Sequence, residues 1–141
     1  MPEKKYKIGY TTGVFDMFHI GHLNILKRAK EQCEYLIVGV STDELVQEYK
    51  HKHPAIPFES RKAIVEAIRY VDEVVPQTTM DKLSAWSELK YNALFHGDDW
   101  KGSAMYDEVE AALRAVGADM VFLPHTKGIS STALTGKKGI E

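Results

Sequence analysis

The amino-acid sequence predicts an α/β fold: an open, doubly wound sheet of about five parallel strands with helices on both faces. Three observations carry that reading. Strand-like apolar runs and amphipathic helical runs alternate from one end of the chain to the other, the pattern that βαβ units with right-handed crossovers produce. Residues 35–40 are continuously apolar, as a strand covered on both faces must be. The chemically unusual residues gather just after the strand-like runs, at Phe15, Val40, His96 and Leu123. In open α/β sheets ligands bind there, beyond the carboxyl ends of the strands.

Residues 6–15 hold Ile8, Tyr10, Val14 and Phe15 with threonines between them and read as the first strand. Leu23, Leu26, Ala29 and Cys33 then fall on one helical face. After the strand at 35–40, Ser41 with Glu44 three positions on supplies a capping box for a second helix. Residues 50–57, basic and carrying two prolines, read as a loop. Ile64, Ala67, Ile68 and Val71 recur at the spacing of an amphipathic helix. Residues 73–76 form a short strand that Pro76 ends, residues 82–90 a weaker helix, and residues 93–96 a strand running into Gly97. Met105, Val109, Ala112, Leu113 and Val116 share a helical face, and Gly117 stops that helix. Residues 120–123 make the last strand, closed by Pro124, and Ser130 or Ser131 caps a final short helix. No repeat or linker interrupts the series, so residues 1–141 are expected to form one domain.

Composition narrows the function. A length of 141 residues suits a single core, which usually takes about 100–200 residues. Hydrophobic residues at 44% and charged residues at 27% exclude a disordered chain. A net charge of −2 argues against coating nucleic acid or an anionic membrane. Cys33 is the one cysteine, so no disulfide framework exists within the chain and a reducing compartment is allowed. The charged start lacks the apolar stretch of a signal peptide, and no apolar run is long enough to span a bilayer. A cytoplasmic protein with no membrane insertion is expected.

The richest segment follows the first strand: Gly13, Val14, Phe15, then His19, Gly21 and His22. A helix N-terminus offers free N–H groups and a partial positive charge, a ready anion site. Imidazoles there can donate to phosphate oxygens near neutral pH, and Gly21 lets a phosphate approach the backbone. One histidine alone is more often a satisfied core residue; two around a glycine at a strand-to-helix junction are harder to dismiss. A shared metal face for the pair lacks an acidic residue at matching spacing. Lys50 and Lys52 read either as a solvated loop or as a mobile basic lid. Asp98 and Asp99 read as turn acids or as carboxylates helping to hold Mg²⁺ with substrate phosphates. Trp100 reads as packing or as a lid, and Cys33 as a buried small hydrophobe. No Ser–His–Asp or Cys–His set points to a covalent intermediate.

The segment from His19 to His22 resembles the H-x-G-H signature of the nucleotidyltransferase superfamily, whose core is Rossmann-like. Residues 69–74 look like a segment of its cytidylyltransferase branch. Gly97, Asp98, Asp99 and Trp100 are similar to a segment of the glycerol-3-phosphate enzymes within that branch, and residues 126–132 resemble its R-T-E-G-I-S-T-T motif. The resemblance runs from about residue 8 to residue 134, with the motifs in family order.

It implies transfer of CMP from CTP to sn-glycerol 3-phosphate with release of pyrophosphate. His19 and His22 would hold the triphosphate and Lys50 and Lys52 would supply the catalytic lysine pair. Gly13, Val14, Phe15, Gly21, Asp98, His125, Thr126, Gly128, Ile129, Ser130, Ser131 and Thr132 would line the nucleotide. Arg61, Arg69, Lys82 and Trp100 would stand near the acceptor, and Mg²⁺ would come with CTP. A homodimer with residues 69–74 near its interface is implied as well. The last motif departs from the family: His125 replaces its arginine, removing a forked phosphate donor, and Lys127 replaces its glutamate. Val14 stands where the glycerol-3-phosphate enzymes have threonine. Alternatives are another acceptor (phosphocholine, phosphoethanolamine or a sugar-alcohol phosphate), ATP in place of CTP, and a non-catalytic nucleotide sensor.

Overall fold

The computed structural model describes residues 5–97 and 104–123. Within them five strands alternate with helices: β1 (Tyr6–Gly13), α1 (Ile20–Gln32), β2 (Cys33–Ser41), α2 (Asp43–Lys50), α3 (Phe58–Glu66), β3 (Glu73–Gln77), α4 (Lys82–Leu89), β4 (Ala93–Gly97), α5 (Ala104–Ala115) and β5 (Asp119–Leu123). All four strand pairings are parallel, in the order β3-β2-β1-β4-β5. The fold is therefore the expected Rossmann-like α/β sheet. From β1 the chain builds outward through β2 to β3, then returns to the other side of β1 to lay down β4 and β5. That reversal opens a crevice between the carboxyl ends of β1 and β4, the usual ligand position in such sheets.

The core lies on both faces of the sheet. Leu26 and Ala29 of α1 and Val65 of α3 pack against Leu36, Val38 and Phe95 on one side. Tyr91, Tyr106 and Leu113 pack against Ile37, Leu94 and Met120 on the other. Strand β2 contributes to both, which is why its sequence shows no alternation.

Several boundaries differ from the sequence reading, each for a local reason. Strand β1 stops at Gly13 because Phe15 adopts a left-handed φ of 55°, which no strand continues. Cys33 opens β2 rather than closing α1; it is nonetheless fully buried. Thr42, not Ser41, caps α2, accepting from the Leu45 N–H, while the buried Ser41 hydroxyl donates to Gln77 Oε1 at 2.7 Å. Helix α2 reaches Lys50, and His51 ends it in the left-handed region at φ 57°, so the loop begins one residue later than expected. Helix α3 begins at Phe58 and ends at Glu66, so it presents Arg61 and Val65 inward and leaves Ile64 and Ala67 exposed. Pro76 lies inside β3 rather than ending it; β3 is an edge strand, where a missing donor is tolerated. Val116 lies beyond α5 and is exposed, and Gly117 closes the turn at φ 91°. Pro124 and the expected final helix at Ser130 or Ser131 fall outside the described residues.

The side chains of Phe95 and Cys33 close over the backbone of β1 at Gly9. A Cβ there would lie 2.6 Å from Phe95 Cε2 and 2.7 Å from Cys33 Sγ. Both atoms are in the core and cannot swing to solvent. Gly9→Ala is expected to destabilise the fold by about 1–3 kcal/mol through overpacking, read as a lowered urea midpoint.

Candidate functional site

The turn between β1 and α1 is built under strain. Phe15 and Met17 both take left-handed φ values, 55° and 49°, at a cost on the order of 1–2 kcal/mol each for non-glycine residues. The strain turns the chain sharply off the strand and delivers His19 as the N-cap of α1. Val14 and Phe15 are buried in this turn.

The two histidines cap the helix reciprocally. The Gly21 N–H donates to His19 Nδ1 at 3.0 Å, and the His19 N–H donates to His22 Nδ1 at 3.1 Å. The rings stack with centroids 3.9 Å apart, and Phe15 and Phe18 flank His22 at 5.5 and 5.3 Å. This geometry decides the protonation chemistry. Each Nδ1 accepts a hydrogen bond, so the proton of each neutral ring sits on Nε2. Both Nε2 atoms are buried and have no hydrogen-bond partner among the described residues. A buried donor left unpaired costs roughly 1–3 kcal/mol. Two such donors, side by side at a helix N-terminus, are chemically suited to anionic oxygens. Burial, and secondarily the neighbouring His19, lowers the His22 pKa from 6.5 to about 3, which keeps that ring a neutral donor until an anion arrives.

Lys82 opens α4 on the other face of the sheet and is buried. Its ammonium donates to Thr12 Oγ1 at 2.8 Å, near the carboxyl end of β1. Desolvation by burial lowers its pKa to about 8. A hydroxyl does not neutralise a buried cation, so this group too favours an incoming anion. Lys50 ends α2, half-buried, and Lys52 is exposed in the following loop.

The two arginines expected near the acceptor lie in different surroundings. Arg61 is 1% exposed. Its Nη1 donates to the carbonyls of Val14 at 2.8 Å and Ser41 at 2.7 Å. Its Nε donates to the Ile56 carbonyl at 2.8 Å, and its Nη2 meets Asp43 Oδ1 at 2.5 Å. Four of its contacts are thus made within the chain, and in this structure it is a strut under the site. Arg69 lies in the turn entering β3, beside Tyr70; the parallel sheet puts that turn at the amino end of its strand, away from the histidines. The sequence reading also passed over Asp16, whose buried carboxylate accepts from the Ala55 and Ile56 N–H groups at 2.8 and 2.9 Å. The available signal was its placement: an acid three residues before His19, where an anion site tolerates a carboxylate only if it points away.

Gly13 closes β1, and the Gly21 N–H is spent on His19. Asp98, Asp99 and Trp100, and His125, Thr126, Lys127, Gly128, Ile129, Ser130, Ser131 and Thr132, lie outside the described residues. Among the described residues no group of three His, Cys, Asp or Glu is placed to hold a metal ion, and no helix is long and apolar enough to cross a membrane.

Residues 10–136 match the profile of the family described as cytidylyltransferase-like. The glycerol-3-phosphate cytidylyltransferase of Bacillus subtilis is 37% identical over 131 residues, spanning 88% of this chain and 91% of that protein. The ethanolamine-phosphate cytidylyltransferase of Mus musculus is 40% identical over 136 residues, which are 89% of this chain and 31% of that longer protein. Among solved structures, a lipopolysaccharide core biosynthesis protein from Thermoplasma volcanium superposes with a TM-score of 0.72 at 25% identity, covering 88% of this chain and 99% of that one. The pantothenate synthetase of Thermus thermophilus shares the fold, with a TM-score of 0.64 at 15% identity over 92% of this chain and 62% of that one.

The His22 environment has a measurable consequence. As pH falls, the unfolded chain takes up a proton on this ring near 6.5, the folded chain only near 3. The stability linked to the neutral ring is therefore fully present above pH 6.5 and is lost progressively between 6.5 and about 3. From about pH 7 to about pH 5, before most carboxylates titrate, wild type is expected to lose urea-denaturation stability more steeply than His22→Asn. Parallel slopes would exclude a buried neutral ring.

Proposed function

The chain belongs to the cytidylyltransferase-like family, and on that footing we propose that it transfers CMP from CTP to sn-glycerol 3-phosphate, giving CDP-glycerol and pyrophosphate. The observation that carries the proposal is the pair of buried Nε2 donors of His19 and His22, unpaired among the described residues, at the end of β1 where α1 begins. The similarity to glycerol-3-phosphate cytidylyltransferases over most of both chains supports this choice of acceptor.

Transfer of this kind needs alignment and positive charge more than covalent help. A phosphate oxygen of the acceptor attacks the α-phosphorus of CTP. The bond from that phosphorus to the bridging oxygen breaks, and pyrophosphate leaves with the electron pair. The Nε2–H groups of His19 and His22 donate to the phosphate oxygens on which charge grows. Lys50 and Lys52 bring ammonium groups to the triphosphate, and Lys82 supplies the counter-charge to the acceptor phosphate. Mg²⁺ enters with CTP as the counter-ion of the nucleotide. Asp98, Trp100 and the segment from His125 to Thr132 complete the nucleotide site in this reading, on the strength of the motif resemblance. A homodimer and a cytoplasmic setting belong to the same reading; the lone, buried thiol of Cys33 is compatible with a reducing compartment.

Pyrophosphate release measured over a panel of nucleotides and acceptor phosphates tests the proposal. CTP-dependent release with glycerol 3-phosphate is expected. Release with ATP alone, or only with phosphoethanolamine or phosphocholine, overturns the substrate assignment, and CTP binding without release for any acceptor points to a sensor. A preset donor of this type is worth about 3–4 kcal/mol in the transition state, so His19→Ala should lower kcat by roughly two to three orders of magnitude. Lys82→Met should raise the KM for the acceptor about tenfold or more with the KM for CTP little changed; equal rises in both would remove the acceptor role.

A further inference from the structure

Asp16 is 3% exposed and sits between the two left-handed residues Phe15 and Met17. Its carboxylate reaches about forty residues along the chain. Oδ2 accepts from the Ala55 N–H at 2.8 Å and Oδ1 from the Ile56 N–H at 2.9 Å. The Ile56 carbonyl in turn accepts from Arg61 Nε at 2.8 Å, so Ile56 is held at both its donor and its acceptor. These bonds close a circuit, because Arg61 also holds the carbonyl of Val14, two residues before Asp16. The segment so fastened, residues 51–57, carries Lys52 and follows directly on Lys50. Most of its own side chains are exposed, so no packed core of its own sets its path.

We infer that Asp16 is a positioning residue: its carboxylate latches the basic strap 51–57 to the same strained turn that aims His19 and His22, registering strap and histidines before the nucleotide binds. The inference rests on Lys50 and Lys52 serving the triphosphate, as proposed above. With the latch intact, little ordering of the strap is left for the nucleotide to drive. With it released, the competent strap is one arrangement among several, and apparent affinity falls by the fraction that is competent. Once CTP is bound the strap is in place either way. The loss therefore falls on KM and spares the chemical step.

Amide hydrogen exchange on the wild-type protein without nucleotide tests the latch directly. The Ala55 and Ile56 amides are expected to exchange at least about tenfold more slowly than that of His53; equal rates overturn the inference. This arm needs no variant and no activity, so it stands apart from the choice of CTP as substrate. Asp16→Asn keeps one acceptor oxygen and loses the other. It should speed exchange at one of the two amides and raise the KM for CTP roughly tenfold, with kcat at saturating CTP held within about twofold. A fall in kcat at unchanged KM, or a lowered melting temperature with both amides and both constants unmoved, would show a residue that only supports the fold.

Discussion

Four segments of chain converge on one guanidinium. The carbonyl of Val14, one residue past β1, and that of Ser41, the last residue of β2, both accept from Arg61. The same group takes the Ile56 carbonyl and the Asp43 carboxylate, and Asp43 Oδ2 in turn accepts from the Phe58 N–H at 3.2 Å. Crevice floor, start of α2, basic loop and start of α3 thus share one point of attachment. A buried cation of this kind is tolerated because nearly all its donors are matched and a carboxylate faces it; removing a partner typically leaves a penalty of about 3–5 kcal/mol. With that charge committed inside the fold, positive charge for a ligand has to come from other residues.

Under the proposed function it comes from groups whose burial is incompletely compensated. His19 and His22 spend their Nδ1 atoms on each other's turn of helix and keep their Nε2–H donors unpaired among the described residues. Lys82 holds an ammonium under the sheet's carboxyl edge against the Thr12 hydroxyl, its side-chain partner among the described residues. Such groups cost stability in the absence of an anion and gain a partner when one arrives, which is how a folded chain stores affinity in a preset site. The depressed pKa values of His22 and Lys82 have the same origin, loss of hydration. An anion in the crevice would push both back toward their charged forms.

Asp16 and Arg61 act from beneath this layer. Their hydrogen bonds fasten the loop bearing Lys52 to the turn bearing the histidines, two segments far apart in the chain. The left-handed residues on either side of Asp16 show that the turn is held in its shape by such contacts and not by local preference.

The order of elements and the parallel α/β class were legible in the residues alone, because hydrophobic periodicity is a local property. The helix-capping pair His19 and His22 was legible for the same reason: spacing of three residues at a strand-to-helix junction is a short-range signal. Local pattern misled where tertiary packing chose among near-equal registers. Val65, not Ile64, faces the core because α3 docks through Arg61, and Thr42, not Ser41, caps α2 because Ser41 is drawn into the β2–β3 edge by Gln77. The division between charges that hold the protein together and charges that hold a ligand was decided only in three dimensions. Arg61 and Asp16 look like binding residues or nothing at all in one dimension, and their partners lie up to forty-seven residues away, beyond the reach of any local rule.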